Sequence, residues 1–162
     1  MARISGGLLF FLCIFMSLAT HASQELSMRV IGTSGKVYVM IVNNSDRELK
    51  INRRFAVGYI SRGADVSFVF RPVSGGDEKV MTANAESSPL RGGDIINIRP
   101  REVIGNSYDT CFLAMTHSLD IGRYYVEVEY SSKIEWEPFS KEADVRLDDD
   151  VVVDIDRTEC NY

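Results

Sequence analysis

LDIGRYYVEVEY, residues 119–130, follows a short polar turn with a run in which apolar and charged side chains alternate. Successive side chains of an extended chain change face, so Val126, Val128 and Tyr130 fall on one side and Glu127 and Glu129 on the other. That is a strand with one dry face and one wet face. The same period governs ADVSFVFRPV (64–73), where Val66, Phe68 and Phe70 oppose Ser67, Val69 and Arg71. KVYVMIVN (36–43) and GDIINIRP (93–100) are further β-branched runs bounded by Gly, Asn, Asp or Pro. SGGDE (74–78), SSPLRGGD (87–94) and SLDIG (118–122) carry turn chemistry between them, and no window predicts a helix. Sheets with one apolar face must cover each other. The expected fold is all-β, a two-sheet antiparallel sandwich.

The first residues, MARISGGLLFFLCIFMSLATHASQ, place the lone cation Arg3 before an unbroken apolar run from Leu8 to Met16, with small residues around Thr20 and Ala22. This reads as a secretory signal peptide, residues 1–22, cleaved after Ala22. The apolar run is too short for a bilayer, which needs about 20 residues, so an uncleaved anchor is the weaker alternative. Removing 22 of 162 residues leaves 140, residues 23–162, a size suited to one domain with its own core. The loss of Arg3 moves the net charge from −5 to −6. An acidic domain is a poor match for nucleic acid. No later segment is apolar enough to span a membrane, so the expected location is periplasmic or secreted. Two cysteines remain after cleavage, Cys111 and Cys160. An even pair in an oxidising compartment predicts a disulfide, and a metal site is disfavoured because neither Cys has a second thiol or a close His ligand.

The turn before the 124–130 strand carries a further signature. Asp120, Gly122 and Tyr124 form the Asp-x-Gly-x-Tyr pattern that leads into strand F of immunoglobulin-like sandwiches, where the Tyr ring is buried and its hydroxyl bonds back to the corner's backbone. An ordinary hairpin with a Tyr at its start is the alternative. Val126 stands where antibody domains have Cys, so the antibody-type inter-sheet bridge is absent. VNNSDRELKI (42–51), LRGGDIINIRPREVIGNSYDT (90–110) and DIGRYYVEVEY (120–130), taken in order, resemble a family of extracytoplasmic Ig-like modules. These modules are similar to the propeptide region of deuterolysin-type secreted metalloendopeptidases and, more distantly, to small bacterial Ig-like proteinase inhibitors. The resemblance covers about residues 26–131. It implies a stand-alone module of propeptide or inhibitor type, whereas the peptidase itself is absent because no HExxH occurs.

Candidate chemistry is sparse. His117 is the sole histidine of the mature chain and reads as a surface-loop residue. RLDDDVVVDIDRTEC (146–160) gathers Asp148, Asp149, Asp150, Asp154 and Asp156, which have the oxygen chemistry that calcium requires. Their spacing does not match the DxDxDG loop, and a solvated strand whose charge discourages edge pairing is the preferred reading. Acid/base work by paired carboxylates, as in a glycosidase, is a lesser alternative. Arg53 and Arg54, with Lys50 and Arg62, are a possible binding surface or a polar sheet edge. Trp136 and Phe139 are either an exposed contact pair or a flap over one end of the sandwich. Asn43-Asn44-Ser45 has the form of a glycan acceptor and otherwise reads as a turn. No catalytic set, metal or cofactor is implied. The expected function is non-catalytic binding of another extracytoplasmic protein, with a protease- or toxin-directed inhibitor or immunity role as the first class to test. A fimbrial or adhesin-type subunit is the alternative, with a hydrolase built on the C-terminal acids less favoured.

Overall fold

The computed structural model describes residues 25–33, 35–59, 64–82, 91–132, 144–146, 151–156 and 160. Ten strands are described: β1 (Leu26–Thr33), β2 (Lys36–Asn43), β3 (Leu49–Asn52), β4 (Val66–Pro72), β5 (Lys79–Val80), β6 (Ile95–Ile98), β7 (Val103–Asp109), β8 (Gly122–Ser131), β9 (Asp144–Arg146) and β10 (Val151–Ile155). One helix, α1 (Thr110–His117), joins β7 towards β8. The strands pair antiparallel in sheets ordered β1-β2-β7 and β10-β8-β4-β5, with β9 also pairing β8 and a separate pair β3-β6. The described residues are therefore mostly β, with α1 and a single 3-10 turn at Gly92–Asp94 as the helical exceptions.

Alternation decides which side of each strand is buried. Tyr124, Val126, Val128 and Tyr130 of β8 and Val66, Phe68 and Phe70 of β4 are buried, and they join Val37, Val39 and Ile41 of β2 in one core cluster. The Phe68 ring meets the edge of Tyr108 with centroids 5.1 Å apart, a contact between the two larger sheets. Full burial of each such side chain contributes about 1.5–3 kcal/mol. The two larger sheets also approach at their edges. A Cβ on Gly32 of β1 would stand 3.0 Å from a Val153 methyl and 3.1 Å from the Val152 carbonyl oxygen of β10.

Asn43 links the β2-β7 and β3-β6 ladders. Its N–H donates to Glu102 O at 3.1 Å and its carbonyl accepts from Arg101 N at 2.8 Å. Its fully buried side-chain amide donates to Arg47 O at 2.8 Å and Ile98 O at 3.1 Å. Its Oδ1 accepts from Ser45 N at 2.9 Å, which closes the 43–47 turn on itself.

The helix corrects the sequence-based expectation that none would form. Asp109 Oδ1 accepts from Cys111 N at 2.8 Å and caps the first turn, while Ser118 ends it in the left-handed conformation at φ 52°. Leu113, Ala114 and Met115 favour a helix between those caps. Leu113, Ala114 and His117 turn into the core. Among the described residues no helix is long and apolar enough to cross a membrane.

Gly105 is set directly against β2, where its register partner is Met40. A Cβ there would overlap the Val39 carbonyl oxygen and stand 3.0 Å from Met40 Cα, and backbone cannot rotate away as a side-chain tip can. Gly105→Ala is therefore expected to destabilise the domain by about 2 kcal/mol through this overpacking. The measurement is the urea midpoint, and a midpoint equal to that of the parent would contradict the contact.

Candidate functional site

The corner residues come together as one turn. Tyr124 is buried, and its hydroxyl donates to Asp120 O at 3.1 Å while accepting from Asp120 N at 3.1 Å. Gly122 opens β8 at φ 157°. The phenol thus ties the start of β8 to the chain that delivers it from α1. Tyr124→Phe keeps the ring and deletes both bonds, so a loss of about 1 kcal/mol is expected in thermal or urea unfolding.

Cys111, in the first turn of α1, and Cys160, beyond the end of β10, are joined as a disulfide with Cα atoms 5.5 Å apart. A cleft of about 410 Å³ lies beside it, lined by Thr33 and Gly35 of the β1-β2 turn, Asp109, Cys111, and Asp154 and Asp156 of the C-terminal segment. Its carboxylates have structural partners. Asp109 caps α1, and Asp154 lies 3.2 Å from Arg123 Nε. Among the described residues no three His, Cys, Asp or Glu side chains converge as a metal site. Asp148, Asp149, Asp150, Arg62, Trp136 and Phe139 lie outside the described residues.

Arg53 is exposed, whereas Arg54 faces inward and belongs to a buried polar network. Arg54 Nε donates to Asp65 Oδ2 at 2.8 Å and Arg54 Nη2 donates to Asp65 Oδ1 at 2.8 Å, a two-pronged pairing that suits a planar guanidinium. Asn52 Nδ2 donates to Asp65 Oδ1 at 2.6 Å, and Ala56 N donates to Asp65 Oδ2 at 2.8 Å. The carboxylate raises the Arg54 pKa above its ordinary value, with burial opposing. Around it, Tyr130 OH donates to Asn52 O at 2.6 Å and Tyr108 OH donates to Phe55 O at 2.8 Å. Burial pushes both phenols to a higher pKa than usual, so they act as neutral donors. Phe55, buried and packed on Tyr130 with ring centroids 5.3 Å apart, sits at φ 52°. A bulky residue in that region is strained by about 1–2 kcal/mol, and these surrounding bonds hold it there. Sequence reading missed this network. Its one visible sign was an Arg within a short polar run, which looks the same whether it faces solvent or a buried carboxylate.

His117 corrects a second expectation, since it is fully buried on α1 and not in a surface loop. Its Nδ1 lies 3.0 Å from Leu113 O and 2.9 Å from Thr116 Oγ1, and its ring meets Phe70 edge to face at 5.0 Å. Burial lowers its pKa, with the Leu113 carbonyl acting in the opposite sense. The unfolded chain therefore binds more protons once the pH falls below the ordinary imidazole value of about 6.5, and folding stability drops until the depressed native value is passed. The expected result is a lower urea midpoint at pH 5.5 than at pH 7.5. His117→Gln should flatten that limb, and an unchanged slope in the variant would assign the pH dependence to other groups.

No protein-family model matches the chain, and no curated protein matches it. The functional reading therefore rests on the chain's own geometry.

Proposed function

We propose that the chain is an exported immunoglobulin-like β-sandwich that binds another extracytoplasmic protein without catalysis. A secreted protease or toxin is the first class to test. One observation carries the reading: the chemistry-bearing side chains described above serve the fold. Arg54 and Asp65 pair in the interior, His117 packs among phenylalanines, Asp109 caps α1 and the two cysteines are joined. What this leaves for recognition is outer surface on a braced scaffold. Arg53 lies on that surface, as do Ile31, Tyr38 and Val103 on the outward face of β1-β2-β7. The Tyr124 corner and the core shared by the two larger sheets support the Ig-like assignment, and the disulfide accords with export to an oxidising compartment.

The test is capture from the envelope extract of the chain's own host with the immobilised mature protein. A stable stoichiometric complex with a protease or toxin, and loss of that enzyme's activity on binding, are the expected results. Recovery of no partner at all would count against the module. The fimbrial alternative requires a strand donated by a neighbouring subunit. Here β10 of the same chain already pairs along β8, from Val151 opposite Val126 to Ile155 opposite Gly122.

A further inference from the structure

Among the described residues β10 is the terminal strand of its sheet, paired with β8. It is five residues long; Val153 and Ile155 are buried in the core and Val151 packs partly buried against it. The gain from burying these aliphatic side chains is of the same order as the conformational cost of ordering five residues, so the strand is marginal by itself. Its charges add little. Asp154 and Asp156 are exposed, and three more aspartates, Asp148 to Asp150, come just before the strand in sequence. The Arg123–Asp154 pair has side chains 66% and 77% accessible, a setting in which an ion pair contributes little. Besides side-chain packing and the backbone ladder to β8, the segment is fastened covalently by the disulfide. It lies beyond the strand's end and joins Cys160 to Cys111 in α1, an element outside the sheet to which β10 belongs. Both cysteines are partly exposed, and the cleft beside Cys111 gives a small reductant a route to the bond.

We infer that the Cys111–Cys160 disulfide is a redox latch: its reduction releases β10 from β8 and bares the β8 edge while β2, β4 and β7 stay folded. The reductant is a dithiol. Its thiolate attacks one sulfur of the bond and expels the other as a thiolate, and its second thiol then resolves the mixed disulfide. Two electrons pass from the dithiol to the cystine. The products are two protein thiols, which take up the dithiol's protons, and an oxidised cyclic dithiol. The bared edge then presents unpaired backbone groups of Gly122–Val126 to an incoming strand. This inference rests on the strand, the disulfide and the cleft, and it stands or falls separately from the partner-binding proposal.

The experiment is hydrogen–deuterium exchange on the full mature protein, oxidised and after reduction with dithiothreitol and alkylation. Peptides covering residues 151–155 are expected to lose their protection completely after reduction, those covering 122–126 to follow, and those covering 66–72 and 36–43 to stay protected, at a level lowered only by the bond's contribution to global stability. Cys111→Ser/Cys160→Ser should reproduce the pattern without reductant. If that variant does not fold, the reduced wild-type protein carries the test. Unchanged protection of 151–155 overturns the inference, and so does loss of protection in every strand together, which would make the bond a global staple.

Discussion

Asp65→Ala is expected to destabilise the domain by about 3 kcal/mol, enough to lower the melting temperature by roughly 10 °C. The carboxylate side chain is only 4% accessible and takes donors from Arg54, Asn52 and the Ala56 backbone. Deleting it leaves a guanidinium that is 14% accessible without its counter-charge and deprives two neutral donors of their acceptor. The main-chain bonds at this position, Asp65 N to Ala56 O at 2.9 Å and Ser131 N to Asp65 O at 2.8 Å, then have to hold the 52–56 segment against the strain at Phe55. Removing both charges should cost less than removing one, because the penalty lies in the stranded ion and not in the absence of the pair. Arg54→Met/Asp65→Leu is thus expected to melt above Asp65→Ala. If Asp65→Ala melted within a degree or two of the parent, the network would be incidental to stability.

Loss of the disulfide is expected to have the other large effect. The bond closes a separation of 49 residues, and the loop-closure account gives about 4 kcal/mol for restricting an unfolded chain of that length. The loop spans most of α1 with its C-cap Ser118, the Tyr124 corner and the whole of β8, so an opened chain must order all of them without the tether. Differential scanning calorimetry of the oxidised and reduced mature protein measures the effect. Alkylation without reduction should label no thiol in the oxidised form, and a labelled thiol would remove the bond from the account.

The sequence revealed those parts of the fold in which one side chain in two is apolar. β2, β4 and β8 were legible for that reason, and so was the pairing of Cys111 with Cys160, because they are the two cysteines outside the apolar N-terminal run that holds Cys13. β1 carried the same mark and was passed over, since Leu26, Met28 and Val30 alternate with Ser27 and Arg29, whereas β7 was hidden: VIGNSYD carries a Gly-Asn-Ser run that has the composition of a turn. β7 is a strand because β2 offers it a register, with Asp109 opposite Lys36. Such long-range pairing leaves no local mark. The same holds for His117 and Arg54. Whether a polar side chain is buried depends on what packs over it, and for these two that is Phe70 and Asp65, respectively 47 and 11 residues away in the chain. α1 was missed because two helical turns offer too few residues for a period to emerge.

The buried amide of Asn43 carries a practical consequence for making the protein. Asn43-Asn44-Ser45 offers a glycosylating host a legitimate attachment signal, yet in the finished fold the acceptor nitrogen lies beneath the surface, donating to Arg47 and Ile98. Oligosaccharide transfer and native folding are then rivals for a single atom. Any chain that receives sugar while still extended is shut out of the native turn, so a eukaryotic secretion host would divide its yield between a bare folded product and a decorated, misfolded one.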